Sequence, residues 1–201
     1  MKHLLITGAA GVGKSTLLRR VVSMSPKPLA GFVTHEVCED NEDGQQRVGF
    51  ETEIIGGHTY LIAHKYALPK YLPKFGSLYV DVRVVRDILC PLINKAIDTN
   101  ELLVIDEIGR FLLLAGEIAE SAVIRALDRT VSTIATVQLR EHPFTDVIKH
   151  RSDVEVWYVT IPNRNKLRGE LLDFIRTGNV EKSRYSAILG PIPSGPWTTM
   201  K

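Results

Sequence analysis

The stretch that decides the fold is HLLITGAAGVGKST, residues 3–16. Residues 3–7 form a short apolar run that stops at a glycine, which is typical of a buried parallel strand. Residues 14–24 then carry apolar side chains at helical spacing, and Pro26 follows shortly after. The order predicts a strand, a glycine-rich loop and a helix.

The loop between them has the pattern of a phosphate-binding loop, in which two glycines enclose four residues and lysine and serine follow. Backbone N–H groups of such a loop, and the positive end of the next helix, face phosphate oxygens. We expect Lys14 to reach the β- and γ-phosphates and the Ser15 hydroxyl to hold Mg²⁺. A chance glycine-rich turn is the alternative, but every fixed position matches in the right context. The predicted nucleotide-binding residues of the loop are Gly8, Ala9, Ala10, Gly11, Val12, Gly13, Lys14, Ser15 and Thr16.

A second apolar run, residues 102–105, ends on two adjacent acids, Asp106 and Glu107. Opposite Ser15, Asp106 is expected to hold the water shell of the metal ion. Glu107 is expected to accept a proton from an attacking water or to orient it, and this favours hydrolysis over transfer to a second substrate. Solvated acids at a strand end are the alternative that spacing alone leaves open.

The rest of the chain alternates strands and helices. Strands are predicted at 29–37, 47–57, 131–138 and 153–161, and helices at 81–100, 117–129, 143–151 and 164–178. Asp81 is a plausible N-cap and Pro91 a kink or join. The polar segment 38–46 suggests a β-hairpin with a solvated tip, and 58–76 an irregular excursion.

This pattern predicts one α/β domain over residues 1–178, followed by a C-terminal tail, 179–201, that Trp197 would pin down. We expect a P-loop domain with a mostly parallel sheet, helices on both faces and an antiparallel hairpin insertion. In proteins of this kind with a catalytic glutamate, another strand commonly lies between the two motif strands. Thr136 or Gln138, on strand 131–138, is then a candidate to sense the γ-phosphate or its water.

The amino-acid composition limits the classes of protein to which the chain can belong. The chain has 201 residues, a formal net charge of +2 and 44% hydrophobic residues, so neither a nucleic-acid nor a membrane-surface partner is indicated. No apolar run approaches the roughly 18 residues of a membrane span. Two cysteines and six histidines show no metal-site spacing. We expect a cytoplasmic protein, with no signal peptide at its start.

Five segments together resemble a known family, the cancer-related or THEP-type nucleoside-triphosphatases. They are residues 8–16, 31–37 (GFVTHEV), 46–51 (QRVGFE), 104–111 (VIDEIGRF) and 153–167. The resemblance implies a single-domain, Mg²⁺-dependent enzyme that cleaves ATP, GTP and other nucleoside triphosphates slowly to diphosphate and phosphate, with little base preference.

Ile108 and Gly109 also match the family's acidic motif, and we predict that they border the nucleotide with Asp106 and Glu107. After this motif the chain departs from the family, because Arg110, Phe111 and Leu112 replace a lysine, a sulfur-containing residue and a glutamate. Arginine keeps a cation for phosphate but presents a different geometry.

Two further arginines are candidates. Arg47, which matches the family's hairpin, either stabilises charge in catalysis or pairs across strands with Glu36. Arg164 either borders the base or is a surface residue at a helix start. The neighbouring NRNK, residues 163–166, lacks the aspartate that would read guanine, so guanine specificity is not predicted.

Two other functions stay open. A nucleotide or small-molecule kinase would share the loop but needs an acceptor pocket, for which residues 58–76 are the candidate lining. A nucleotide-dependent switch would present the hairpin tip to a partner. The residues identify no protein partner, and a monomer is the simplest expectation.

Overall fold

The computed structural model describes residues 3–42, 44–99, 101–129 and 132–177. Within these ranges, nine strands form one sheet. The strands are β1 His3–Thr7, β2 Leu29–Asn41, β3 Gly44–Ile54, β4 Thr59–His64, β5 Lys74–Phe75, β6 Leu78–Val80, β7 Leu102–Ile108, β8 Thr133–Val137 and β9 Val154–Tyr158. The predicted tail and Trp197 lie outside the described residues.

The order across the sheet is β5-β6-β4-β3-β2-β7-β8-β1-β9. Strands β2, β7, β8, β1 and β9 run parallel, and β3, β4, β6 and β5 extend them with antiparallel pairs. The predicted α/β fold class is confirmed, and β8 lies between the two motif strands β7 and β1 as expected.

Helices cover both faces of the parallel strands. The helical segments are α1 Lys14–Ser23, α2 Val82–Val84, a π-helical turn Val85–Leu89, α3 Cys90–Thr99, α4 Arg110–Leu113, α5 Glu117–Asp128, α6 Pro143–Lys149 and α7 Arg164–Thr177. Successive side chains of a strand point to opposite faces. Accordingly, Leu4 and Ile6 of β1 pack in a cluster with α1 and α7, whereas Leu5 packs in a cluster with α3 and α5. No helix in the described ranges has the length and apolar character needed to cross a membrane.

The antiparallel half is larger than the predicted hairpin. Strands β2 and β3 continue through most of the expected polar tip and close where Asn41 pairs with Gly44. The prediction of an irregular excursion at 58–76 was wrong for its first and last parts, because β4 and β5 lie there. Pro69 and Pro73 interrupt the pattern between these strands.

The predicted helix 81–100 is divided. The Asp81 carboxylate accepts the N–H of Arg83 at 3.1 Å, which confirms the N-cap. A π-helical turn follows, in which the Cys90 N–H donates to the Val85 carbonyl. Pro91 has no N–H with which to continue the α-helical ladder, so the join lies directly before it.

Strands β2 and β7 approach each other very closely at Gly31. Its φ is +123°, and a Cβ at this position would lie 1.9 Å from the carbonyl oxygen of Val104. Only glycine fits here, and the parallel pairing of β2 with β7 depends on it.

Candidate active site

The phosphate loop joins β1 to α1 and needs its glycines. Gly8, Gly11 and Gly13 have φ values of +151°, +75° and +98°. A Cβ on Gly8 would also lie 2.5 Å from the carbonyl oxygen of Val159, at the end of the neighbouring β9. The loop is therefore held in a conformation that directs the N-terminus of α1 into the cleft above the sheet.

Lys14 is the first residue of α1 and folds back over the loop. Its Nζ donates to the carbonyl oxygens of Gly8 at 2.9 Å and Ala9 at 3.1 Å. The first turn of α1 carries no acidic residue, so the lysine and the helix dipole present positive potential at one place. This arrangement suits a polyphosphate.

Asp106 lies at the C-terminal part of β7 and is completely buried. The Ser15 hydroxyl donates to its Oδ1 at 3.0 Å, and the Thr136 hydroxyl donates to the same oxygen. The Thr34 N–H donates to Oδ2 at 3.2 Å. Burial raises the pKa of Asp106, while these hydrogen bonds act in the opposite direction.

The surroundings of Asp106 fit a magnesium ion. A carboxylate and hydroxyl groups, all hard oxygen donors, meet where the phosphate loop ends, and Mg²⁺ prefers such ligands together with phosphate oxygens. Ser15 and Asp106 are the predicted pair, and they are in direct contact.

Glu107 follows Asp106 and lines the cleft with a half-buried side chain. Burial, and then repulsion from Asp106, raise the pKa of Glu107, and the charges of Lys14 and Arg110 lower it. A Cβ on Gly109 would lie 2.4 Å from Oε1 of Glu107. Gly109 therefore leaves the space in which the glutamate side chain lies, while buried Ile108 packs in the core.

A hydrogen-bonded chain that sequence reasoning missed supports the loop from α1. Arg19 donates from Nε to the Ser15 carbonyl at 3.4 Å and from Nη2 to the Thr16 hydroxyl at 3.3 Å. Its Nη1 contacts Nδ1 of His35 at 2.7 Å, and Nε2 of that ring contacts Glu53 at 2.7 Å. A guanidinium only donates, so Nδ1 accepts and Nε2–H donates to Glu53. The one available sequence signal was the helical spacing of Arg19 from Ser15.

The two candidates on β8 have different positions. Thr136 is completely buried and donates to Asp106, so it orients that carboxylate. Gln138 lines the cleft, and its backbone N–H donates to the Ile108 carbonyl at 3.2 Å. Of the two, Gln138 is the one whose position suits a contact with a ligand.

A single cleft of about 1030 Å³ connects the phosphate loop and Glu107 with the antiparallel half of the sheet. Arg47 also lines this cleft, where it donates to Glu36 at 2.7 Å and lies 5.0 Å from the centroid of the Phe50 ring. The predicted cross-strand pair is present, and it lies in the cleft.

Arg164 begins α7 and lies beside the loop on another side. Its Nη1 is 3.4 Å from the position that a Cβ on Gly13 would occupy, and it is not part of the cleft lining formed by the described residues. Asn163 accepts the Thr160 N–H at 2.8 Å and donates to the Tyr158 carbonyl at 2.9 Å. The asparagine thus fixes the turn into α7.

A parallel sheet with a glycine loop after β1, an acid pair at the end of β7 and β8 between these strands defines a P-loop NTPase domain. The family model described as NTPase matches residues 3–172, and the chain belongs to this family, in agreement with the resemblance seen in the sequence. Nucleoside-triphosphatase THEP1 of Thermotoga maritima is 31% identical over 179 residues, which cover 89% of this chain and 98% of that protein.

Two solved structures are similar. The crystal structure of THEP1 from Aquifex aeolicus has a TM-score of 0.72 at 27% identity and covers 86% of this chain and 98% of its own. The solution structure of a human cancer-related nucleoside triphosphatase has a TM-score of 0.70 at 26% identity and covers 90% and 100%, respectively.

Proposed function

We propose that the protein is a Mg²⁺-dependent nucleoside triphosphatase that slowly hydrolyses ATP, GTP and other nucleoside triphosphates to diphosphate and phosphate, with low base specificity. The observation that carries the proposal is the arrangement of one cleft wall. There, the phosphate loop with Lys14, the Ser15–Asp106 pair and Glu107 are adjacent.

The triphosphate would be bound by the backbone N–H groups of the loop, by the N-terminus of α1 and by Lys14. Ser15 and Asp106 would hold the magnesium ion, which neutralises charge on the phosphate oxygens when it is bound. Arg19 and Thr34 maintain the positions of Ser15 and Asp106 through the contacts described above. With these groups as ligands, the γ-phosphate would lie on the side of Glu107.

Hydrolysis requires a water aligned with the bond between the β- and γ-phosphates. Glu107 would accept a proton from this water as its oxygen attacks phosphorus, while the bond to the β-phosphate oxygen breaks and the diphosphate leaves. The raised pKa of Glu107 strengthens it as a base once ionised. Gln138, which lines the same cleft, would contact the water or the γ-phosphate.

Slow turnover and low base specificity agree with two further contacts. Arg47 is already paired with Glu36, which limits the charge that it can contribute to the transition state. The amide of Asn163 is engaged with backbone groups through both its oxygen and its nitrogen, so it is not available to read a base edge. Arg164, beside the loop, would border the base without hydrogen-bonding selectively.

The test is phosphate release from ATP, GTP, CTP and UTP with Mg²⁺ and with EDTA, beside the Glu107→Gln variant. We expect release from all four nucleotides, its loss with EDTA, and a decrease in kcat of about 10²–10⁴-fold in the variant, as for a general base. Nucleotide binding should persist, because the glutamine retains the shape of the side chain.

Glu42→Gln is the matched control, since Glu42 is exposed at the hairpin tip, far along β2 from the loop. It should leave the rate unchanged. Equal rates for the Glu107 variant and the control would remove Glu107 from the reaction, and release from one nucleotide alone would contradict low base specificity.

A further inference from the structure

The cleft lining includes aromatic and cationic residues outside the phosphate-binding wall, and this part of the lining is the second compartment. Three phenylalanines from separate segments meet there: Phe50 of β3, Phe75 of β5 and Phe111 of α4. The ring centroids of Phe50 and Phe111 are 5.1 Å apart, and those of Phe75 and Phe111 are 6.1 Å apart. All three side chains are only partly buried, so ring surface faces the cleft. This is an aromatic wall.

Two guanidinium groups lie on this aromatic wall. That of Arg47 lies 5.0 Å from the centroid of Phe50, and that of Arg110 lies 4.9 Å from the centroid of Phe75. Glu36 neutralises Arg47, whereas Arg110 has neither an ion pair nor a hydrogen bond among the described residues. Its charge and donors are therefore available to an anionic group in the cleft.

The compartment lies next to Glu107 and has an apolar floor. Ile62, Leu89 and Leu112 line the same cleft and are buried. The volume of the whole cleft, about 1030 Å³, is at the upper end of the roughly 300–1,000 Å³ of a pocket that holds one small ligand. A nucleotide whose base borders Arg164 would have that base beside Gly13, at a residue that is not part of the cleft lining that includes the phenylalanines.

We propose that the compartment formed by Phe50, Phe75, Phe111 and Arg110 binds a second small ligand, which has a planar aromatic ring and an anionic group, as in a nucleoside monophosphate. The ring stacks on the phenylalanines and the anion pairs with Arg110. The proposal rests on the proposed function, since it assumes that the triphosphate occupies the phosphate loop.

The experiment is calorimetric titration of AMP into protein saturated with Mg²⁺ and a non-hydrolysable β,γ-imido analogue of ATP. We expect saturable binding of AMP to this complex. Phe75→Leu removes a stacking surface, and Arg110→Gln removes the cation, so each should weaken AMP binding about tenfold or more. Phe75→Tyr keeps the ring and should retain binding, and Arg86→Gln, on the π-helical turn, is the control for loss of an exposed arginine.

Absence of AMP binding to the saturated protein, or equal binding by the four variants, would overturn the proposal. So would a weakened affinity of Phe75→Leu for the ATP analogue, because the aromatic wall would then hold the base of the triphosphate. Failure of the proposed function gives a different result: the unmodified protein would then neither bind the ATP analogue nor release phosphate from nucleoside triphosphates. Melting temperatures of the Phe75→Leu and Phe75→Tyr variants distinguish loss of the ring from loss of the fold.

Discussion

The two halves of the sheet contribute two different walls to the lining of one cleft. In the parallel half, Asp106 is completely buried and fixed by three donors, from Ser15, Thr34 and Thr136. In the antiparallel half, Arg47 is exposed, and the rings of Phe50 and Phe75, which meet Phe111 of α4 in the cleft, are only partly buried. The first wall is a buried, hydrogen-bonded, charged surface, and the second is a more exposed apolar and cationic one.

The difference indicates that the two walls have different functions, one in the reaction and one in ligand recognition. Fixed polar groups in a site that excludes water stabilise a transition state most where charge develops during the reaction. Aromatic surface with exposed arginine recognises a range of ring-bearing ligands instead. Substitutions in the parallel half should therefore affect turnover more than substitutions in the antiparallel half.

Among the variants considered next, the largest effect is expected for Lys14→Ala. The change removes the cation that lies over the phosphate loop, so triphosphate binding should weaken and turnover should fall by at least about 10²–10³-fold, as when a transition-state donor is lost. Binding of a fluorescent triphosphate and phosphate release measure the two effects. Lys95→Ala, at an exposed position of α3, is the control, and similar rates for both variants would remove the loop lysine from the mechanism.

Gly109→Ala should reduce turnover by about 10²-fold without removing any reactive group. The new methyl would collide with Oε1 of Glu107 at 2.4 Å, and a shift of about 1 Å in a catalytic group costs this much. Gly169→Ala is the matched control, because no atom lies within 4 Å of the Cβ there. Unchanged kcat in the Gly109 variant would show that the position of Glu107 does not limit hydrolysis.

Arg47→Gln tests the antiparallel wall, with an expected decrease in kcat of about tenfold. This lies well below the roughly 10³–10⁵-fold contribution of an unpaired arginine finger, because Glu36 already shares the charge of Arg47. The companion variant Glu36→Gln releases the arginine and should not slow the reaction. Steady-state kinetics of both variants give the two kcat values. If both values change by the same small amount, the Arg47–Glu36 pair is only a cross-strand contact and has no role in the reaction.

The smallest effect is expected at the N-cap before α2. Asp81→Ala should lower the free energy of unfolding by about 1 kcal/mol at pH 7, as for other lost caps. The side-chain hydrogen bond from Arg83 lowers the pKa of Asp81 in the folded protein. The contribution of the Asp81 carboxylate to stability is therefore complete above the pKa of the unfolded chain, near 3.9, and is lost as the pH falls through the lower pKa of the folded protein. In urea unfolding, the difference in free energy of unfolding between the unmodified protein and Asp81→Ala should be constant from pH 7 to 5 and should shrink below about pH 4. Asp81→Asn keeps the cap without the charge, and a pH-independent difference for Asp81→Ala would contradict this account.

The parallel half was predictable because its signals are local. The loop, the buried strands and the acid pair each occupy a short stretch of sequence, and the helix caps and stops lie next to them. The fold class, the position of β8 and the cap at Asp81 followed from these stretches. The specific roles of Arg47, Arg164 and Glu107 in the reaction stay predictions.

The antiparallel half was harder to predict because its contacts join distant residues. Strands β5 and β6 are two and three residues long and exist through pairing with each other and with β4. The rings that meet in the cleft come from distant positions in the chain, Phe50, Phe75 and Phe111. No local sequence pattern therefore predicts their contact. The same applies to Arg19 and Glu53, which meet at His35.

Gly31 has a consequence for how this sequence tolerates mutation. It carries no chemistry, yet any side chain there would force β2 away from the carbonyl of Val104. Three residues further along β2, Thr34 donates to both the carboxylate and the carbonyl of Asp106. In a survey of single variants, position 31 would therefore score as intolerant as the acid pair, although it is not part of the cleft lining.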